Sequence, residues 1–234
     1  MLIVIEGADG AGKTKQSKQL AERLGYQWMC FPDRSTPIGK LIDGYLKREW
    51  RTVSTKPAEA TENWMPHSEI KQARHDALVF QGLQLANRTE RLQLLNDAVA
   101  PHALNLVLDR YWQSGCCYGG LDGLDPVYLR SMHVGLPYPT VSILIDVPVE
   151  ITMQRLAARG SAPEYYENRE RLTKLRGLYL ELWQEHCTDP SWLVVDGDGA
   201  PEVVGQRLWH AFNGWRDAHQ PASRSCRRKH DHTD

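Results

Sequence analysis

Residues 7 to 14 have the types and spacing of a loop that binds phosphate. They are Gly7, Ala8, Asp9, Gly10, Ala11, Gly12, Lys13 and Thr14. A glycine-rich turn between a strand and a helix aims backbone N–H groups at phosphate oxygens. In this pattern the lysine bridges the outer phosphates of a nucleoside triphosphate, and the threonine hydroxyl binds Mg²⁺. A chance glycine-rich turn is disfavoured, because an apolar run precedes the loop and a helical pattern follows it.

Three charged residues directly follow predicted strands. Asp109 follows an apolar run at 105–108, and a carboxylate opposite a phosphate loop is the usual partner of Mg²⁺, although it can also cap the next helix. Arg34 and Arg110 likewise follow strands, at the edge of a parallel sheet where ligands bind. Either arginine alone is explained by a surface ion pair. Together they favour a second anion, held by bidentate hydrogen bonds.

Another basic cluster surrounds the break in pattern at Gly160. Arg155 and Arg159 precede the break, and Arg169 and Arg171 follow it. One interpretation is a set of exposed helix charges paired with neighbouring glutamates. The other is a flap whose arginines close over a transferring phosphoryl group. We favour the flap for Arg155 and Arg159, and the ordinary ion pair for Arg171.

The composition does not indicate a nucleic-acid-binding, membrane or secreted protein. The chain has 234 residues, of which 41% are hydrophobic, and its formal net charge is −1. Neither a nucleic-acid nor a membrane-surface partner is indicated by this charge. The five cysteines contain no C-x-x-C pair, and no apolar run is long enough to cross a bilayer. We therefore expect a cytoplasmic protein without a secretion signal.

Short apolar runs alternate with helical patterns along the chain. Strands are predicted near 2–5, 26–31, 105–108, 141–145 and 192–195, and one long helix over about 75–99. This alternation predicts an α/β protein with a five-stranded parallel sheet and helices on both faces. We expect a single domain over 1–219 with a short lid at about 159–168. The polar stretch 50–65 is interpreted as a loop and the basic tail 220–234 as disordered.

Taken together, these residues resemble the thymidylate kinase family of phosphate-loop nucleoside monophosphate kinases. The resemblance covers nearly the whole chain up to about Phe212. The stretches that carry it are Phe31-Pro32-Asp33-Arg34-Ser35-Thr36, Ala86-Asn87-Arg88, Asp109-Arg110-Tyr111 with Ser114 and Tyr118, Val134-Gly135-Leu136-Pro137, and Tyr166-Glu167-Asn168. The resemblance implies ATP-dependent conversion of dTMP to dTDP, Mg²⁺ as cofactor and a homodimer.

For the phosphoryl donor, the resemblance implies that the phosphate loop binds ATP, with Lys13, Thr14 and Asp109 serving ATP·Mg²⁺. It also implies that Arg159 and the loop at Asp196 lie near the adenine.

For the acceptor, the resemblance implies that Arg34 and Arg110 hold the phosphate of dTMP. Asp9 reaches toward the 3′-hydroxyl and these arginines. The thymine edge is read by Arg88 and Ser114, Tyr118 crowds the 2′ position against ribose, and Tyr166 ends the lid over the substrate.

This sequence departs from the family pattern in two places where members carry an arginine. One follows the phosphate-loop acid and is Gly10 here; the other lies in the lid and is Tyr165 here. The arginine that clamps the transferring phosphoryl group is thus left open between Arg155 and Arg159.

A third departure concerns the base. The family places a stacking phenylalanine four residues before the base-reading arginine, where this chain has Gln84, while Phe80 lies one turn earlier. Phe80, Gln84 and Arg88 share one helix face. Either Gln84 hydrogen-bonds the base edge or Phe80 stacks on the base from a shifted position.

Three rival functions stay open beside the dTMP kinase. A deoxynucleoside kinase, or a kinase of another deoxynucleoside monophosphate, uses the same donor; the former needs a carboxylate base, for which Asp33 is the candidate. A GTPase-like switch is a rival from another class, but the chain has no Asn-Lys-x-Asp guanine motif.

Overall fold

The computed structural model describes residues 1–47, 49–50, 65–101, 104–160 and 166–219. Most of the stretch interpreted as a loop (50–65), the predicted tail (220–234) and positions 161–165 of the predicted lid lie outside these residues. Among the described residues, no helix is long and apolar enough to cross a membrane.

The five predicted strands are confirmed and form one parallel sheet. Its strands are β1 (Leu2–Glu6), β2 (Gln27–Cys30), β3 (Leu106–Asp109), β4 (Val141–Asp146) and β5 (Trp192–Asp196), in the order β2-β3-β1-β4-β5. β1 is buried along its whole length. This explains why its sequence is an uninterrupted apolar, β-branched run rather than an alternating one.

Helices connect the strands and cover both faces of the sheet. They are α1 (Lys13–Leu24), α2 (Pro37–Leu46), α3 (Met65–Thr89), α4 (Leu92–Val99), α5 (Trp112–Leu121), α6 (Pro126–Met132), α7 (Val149–Arg159), α8 (Arg169–Glu185) and α9 (Pro201–His219). Successive residues of a strand point to opposite faces, so β1 contributes to two cores. Leu2 and Val4 pack with residues of α3, α5 and α8, whereas Ile3 and Ile5 pack with residues of α1 and α9.

The single long helix predicted over about 75–99 is wrong. The structure ends α3 at Thr89 and starts α4 at Leu92. At the break, the guanidinium of Arg91 donates from Nε and Nη2 to Asp33 Oδ2, at 2.8 and 2.6 Å. A tertiary ion pair with the loop after β2 thus accompanies the turn, and a helical hydrophobic period does not reveal it.

The carboxyl ends of β1, β2 and β3 meet at one edge of the sheet. Ile5 and Cys30 both lie opposite Asp109 in the strand register. The loop after β1 and the segments after β2 and β3 therefore converge, as ligand-binding loops do in open α/β sheets.

Candidate active site

The loop between β1 and α1 has the backbone conformation of a phosphate cradle. Gly7, Gly10 and Gly12 have φ angles of 148°, 78° and 87°, which side-chain-bearing residues rarely adopt. A Cβ at Gly7 would lie 2.7 Å from the carbonyl oxygen of Ile145, so this position excludes any larger residue.

Lys13 folds back over this loop. Its ammonium group donates to the carbonyl oxygen of Ala8 at 2.7 Å, and its side chain is buried. Burial, together with the positive charge of Arg110, lowers the pKa of Lys13 to about 8. An anion beside the ammonium group would oppose both effects, so the site favours phosphate over no ligand.

Thr14 and Asp109 meet at the predicted metal position. The Thr14 hydroxyl donates to Asp109 Oδ2, and Asp109 Oδ1 is buried with no hydrogen-bond partner among the residues described. Carboxylate and hydroxyl oxygens are the ligands that Mg²⁺ prefers, usually alongside phosphate oxygens and water. The unpartnered oxygen makes this pair a fit for the ion. The described residues contain no cluster of three or more His, Cys, Asp or Glu side chains that would hold a metal by themselves.

Asp9, Arg110 and Tyr118 form a charge-paired cluster beside the phosphate loop. Arg110 Nη2 donates to Asp9 Oδ1 and, at 3.0 Å, to the Tyr118 hydroxyl, which itself donates to Asp9 Oδ2 at 2.7 Å. Burial pushes the pKa of Asp9 upward, but Arg110 and Lys13 outweigh it and lower that pKa. The cluster therefore holds an ionised carboxylate and an oriented guanidinium.

Arg110 has an unusual backbone conformation. Its φ is 72°, and it alone among the described non-glycine residues has a positive φ. Such a conformation persists when surrounding contacts over-determine it, and it is concentrated at functional sites. Here the backbone N–H donates to the Ile5 carbonyl at 3.0 Å while the side chain is held by Asp9.

Glu6 is a site residue that the sequence interpretation missed. It is fully buried and accepts hydrogen bonds from the Tyr111 and Ser114 backbone N–H groups at 2.7 and 3.1 Å. It also accepts from the Ser114 and Tyr179 hydroxyls at 2.6 and 3.0 Å. A glutamate at the end of an otherwise apolar buried strand was the available signal, since a buried charge needs partners.

A single groove brings most of the predicted site residues together. Its volume is about 360 Å³. The predicted residues that line it are Asp9, Thr14, Arg34, Phe80, Gln84, Arg88, Asp109, Arg110, Ser114, Tyr118 and Tyr166. Gln81, which the sequence interpretation did not select, lines it as well. The groove thus runs from the phosphate loop to the face of α3.

Arg88 lies at the α3 end of the groove and is almost completely buried. Its Nη2 donates to the Tyr111 carbonyl at 2.8 Å, whereas Nε and Nη1 have no partner within the described part of the chain. Burial lowers its pKa to about 10, so the guanidinium stays charged at neutral pH. Unpaired buried donors are costly, and a ligand with an acceptor would satisfy them.

Two other predicted base-site residues differ in their surroundings. Phe80 is 2% exposed and stacks on Tyr45 with ring centroids 4.5 Å apart, so it belongs largely to the core. Gln84, one turn along α3, is also buried against the groove wall. Both remain candidates for the base.

The loop after β2 places Arg34 and Asp33 differently. Arg34 lines the groove with a half-exposed side chain, 3.2 Å from Asp43. Asp33 is not among the groove-lining residues; it accepts from Arg91 and from the Ser35 hydroxyl at 2.6 Å. Asp33 is therefore not placed as the free carboxylate base that a deoxynucleoside kinase would need.

Three residues predicted for the lid or the donor base are not part of the groove lining. Arg155 Nη2 donates to the carbonyls of Gly197 and Gly199 at 2.9 and 3.0 Å. Arg159 Nη2 donates to Glu167 at 2.6 Å, and Asp196 pairs with Arg207 at 2.9 Å. Arg171, for which we favoured an ion pair, has one with Asp122 at 2.8 Å.

Comparison with known proteins identifies the family. A family model described as thymidylate kinase matches residues 5–207. The thymidylate kinase of Caenorhabditis elegans is 30% identical over 227 residues, covering 91% of this chain and 89% of the relative. The human thymidylate kinase is 30% identical over 214 residues, covering 88% and 87%.

Two solved structures share the fold of this chain. The thymidylate kinase of Candida albicans aligns with a TM-score of 0.67 at 26% identity, covering 91% of each chain. A deoxyadenosine kinase from M. mycoides aligns with a TM-score of 0.65 at 18% identity, which indicates a shared fold only.

Proposed function

The chain belongs to the thymidylate kinase family and phosphorylates dTMP to dTDP with ATP, and we propose that it does so with the groove residues described above. The observation that carries this proposal is that one groove joins two anion sites to a base site. The phosphate loop lies at one end, and Arg110 and Arg34 lie between. Arg88, whose Nε and Nη1 have no partner among the described residues, lies at the other end.

At the donor end, the backbone N–H groups of the loop and Lys13 bind the β- and γ-phosphates of ATP. Mg²⁺ would be held by Thr14 and Asp109, and it would neutralise charge on the phosphates. This is supported by the unpartnered Asp109 Oδ1 beside the Thr14 hydroxyl.

For the acceptor, Arg110 and Arg34, which lie between the two ends of the groove, bind the phosphate of dTMP. The second pKa of a phosphate monoester is about 6, so this phosphate is mostly dianionic near neutral pH and needs no general base. Catalysis then consists of holding two phosphates in line and neutralising their charge. Asp9 orients Arg110 for this, and Tyr118 stands beside both.

The arginine that clamps the transferring phosphoryl group stays open between Arg155 and Arg159. The contacts of Arg155 with the Gly197 and Gly199 carbonyls support a role in shaping the predicted adenine loop near Asp196. Arg159 is the better clamp candidate, because its charge is near enough to Asp9 to lower the pKa of that carboxyl.

We further propose a cytoplasmic homodimer with ATP and dTMP as its small-molecule partners and no nucleic-acid partner. The net charge of −1 agrees with the last point. Exposed apolar side chains on α2 and α3, Leu41 and Leu78, are consistent with a helix-mediated interface.

The decisive experiment incubates the purified protein with ATP, Mg²⁺ and one acceptor at a time. The acceptors are thymidine, dTMP, dUMP, dCMP and dGMP, and the products are separated by anion exchange. We expect dTDP from dTMP. Conversion of thymidine to dTMP would identify a deoxynucleoside kinase instead. In a parallel incubation with GTP and no acceptor, hydrolysis of the GTP would identify a switch.

A further inference from the structure

The hydroxyl of Ser114, predicted to read the thymine edge, is already engaged. Its Oγ donates to Glu6 Oε2 at 2.6 Å, lies 2.9 Å from the Tyr179 hydroxyl and accepts from Arg110 Nη1 at 3.2 Å. A hydroxyl has one donor and two acceptor sites. Glu6 takes the donor site and Arg110 one acceptor site, so donating to a base edge would require Ser114 to break a buried bond with a carboxylate.

Gln81 offers an unused acceptor in the same groove. Its side chain is 1% exposed, and Oε1 is buried with no hydrogen-bond partner in the described structure. Gln81 and Arg88 are seven residues apart on α3, which places them on one helix face about two turns apart. Helical side chains lean toward the N-terminus, so the long Arg88 side chain extends back toward Gln81.

Gly115 lies beside this acceptor, where any side chain would press against Gln81 and His133. A Cβ there would lie 3.4 Å from Gln81 Oε1 and 2.9 Å from His133 Nε2. The charge of Arg88 also reaches this corner: it adds to the burial that lowers the pKa of His133, and it opposes the burial that raises the pKa of the Cys116 thiol. The unpaired acceptor of Gln81 and the unpaired donors of Arg88 therefore border one small region, yet they do not bond to each other.

We propose that Gln81 Oε1 accepts the N3–H of the bound pyrimidine while Arg88 donates to its O4, which makes Gln81 a residue that determines base specificity. This inference rests on the proposed function, since it assigns a role within the dTMP site. Thymine and uracil present a donor at N3 next to an acceptor at O4, and the pair of Gln81 and Arg88 is complementary to that edge. The assignment leaves Ser114 to position Glu6 and Arg110.

The same pair rejects cytosine for a physical reason. Cytosine presents an acceptor at N3 and an amino donor at C4. With Oε1 toward the base, Gln81 sets its acceptor against the acceptor at cytosine N3, and Arg88 has no acceptor at any orientation. The cytosine amino group would then face a buried guanidinium with neither group satisfied.

The test compares binding of dTMP and dCMP to the wild type and to Gln81→Leu by titration calorimetry. Gln113→Leu is the matched control, because Gln113 is also a buried glutamine with an unpartnered Oε1 but does not line the groove. We expect Gln81→Leu to reduce the preference for dTMP over dCMP by about 5- to 100-fold, the effect of losing one buried hydrogen bond. Gln113→Leu should leave the preference unchanged. Equal weakening of both nucleotides by Gln81→Leu would overturn the proposal.

A second measurement holds even if Gln81→Leu does not fold. In the wild-type complex with dTMP labelled with ¹⁵N at N3, the imino proton should be protected from exchange and visible by NMR. An imino proton that exchanges freely with water overturns the role of Gln81. Neither measurement requires turnover, so a protein that binds dTMP through its imide edge but forms no dTDP would refute the proposed function while leaving this inference intact.

Discussion

The two ends of the groove are prepared for their ligands in different ways. At the phosphate end, Asp9, Arg110 and Tyr118 satisfy one another, and Lys13 is held by a loop carbonyl. Asp109 Oδ1, where Mg²⁺ would bind, has no partner among the described residues. At the base end, Arg88 and Gln81 keep buried polar atoms with no partner among the described residues.

This difference follows from what each ligand brings. A phosphate carries charge, and arginine side chains must be oriented before it arrives, so a carboxylate counter-ion holds them in place. A base carries only neutral donors and acceptors, and it is distinguished by the cost of leaving buried groups unpaired. We therefore propose that the phosphate end supplies affinity and orientation and that the base end supplies selectivity.

The largest effect is expected at Lys13. Lys13→Ala should reduce kcat by about 100- to 1,000-fold, the usual cost of removing one preorganised group that stabilises a transition-state charge. Because burial lowers the pKa of Lys13 to about 8, holding its ammonium group charged at pH 7 costs the folded state stability. The variant should therefore keep a melting temperature at pH 7 at least equal to that of the wild type. Steady-state kinetics and calorimetry check both, and a kcat near the wild-type value would remove the lysine from the reaction.

Arg110→Ala is expected to weaken dTMP binding by about 2–4 kcal/mol, with far less effect on ATP. It also leaves Asp9 without its main counter-ion, so the pKa of that carboxyl should rise. Arg91→Ala is the matched control, since Arg91 pairs with Asp33 away from the groove lining. Titration with each nucleotide tests this, and a loss confined to ATP would place Arg110 at the donor.

A smaller effect concerns His133, beside the base end. Burial and the charge of Arg88 lower its pKa to about 4, against 6.5 for an ordinary histidine. As the pH falls, the unfolded chain therefore binds a proton at His133 before the folded protein does. The contribution of neutral His133 to the free energy of unfolding is complete above pH 6.5 and is lost as the pH falls toward 4. Between pH 7 and pH 5 this amounts to about 2 kcal/mol. Urea unfolding at the two pH values should show a smaller pH difference for His133→Gln than for the wild type.

The smallest effect is expected at Gln84. We retain the hypothesis that Gln84 lines the base pocket. Gln84→Ala should then raise the KM for dTMP by about 5-fold, the equivalent of one neutral hydrogen bond. Phe80→Ala should instead cost about 3–5 kcal/mol of stability, because its ring is stacked in the core. Kinetics with Gln84→Ala and with the milder Phe80→Leu separate the two residues. A silent Gln84→Ala beside a large KM increase in Phe80→Leu would assign the base to Phe80.

The parts of the site that were predictable are those in which the chemistry depends on neighbours in the chain. The glycine positions of residues 7–14 encode left-handed backbone conformations that no other residue adopts easily. Asp109 and Arg110 were identified because they follow a strand that had to be buried, and such positions lie at the ligand edge of the sheet.

The parts that were not predictable depend on residues far apart in the chain. Glu6 and the Tyr179 hydroxyl that bonds to it are separated by 173 positions, and nothing local in either stretch indicates the pair. The break between α3 and α4 arises beside an ion pair with the loop after β2. Likewise, Gln81 is one of several glutamines on a helix until the groove shows which amide oxygen is buried without a partner.

The amino-acid sequence by itself thus determined the sheet, the phosphate loop and the family, because glycine spacing and apolar periodicity act over a few residues. Only the tertiary structure decided which polar groups are already paired and which are left for a ligand. That distinction is made by distances between side chains on different elements, and buried hydrogen-bonding capacity is filled or left open according to those distances alone.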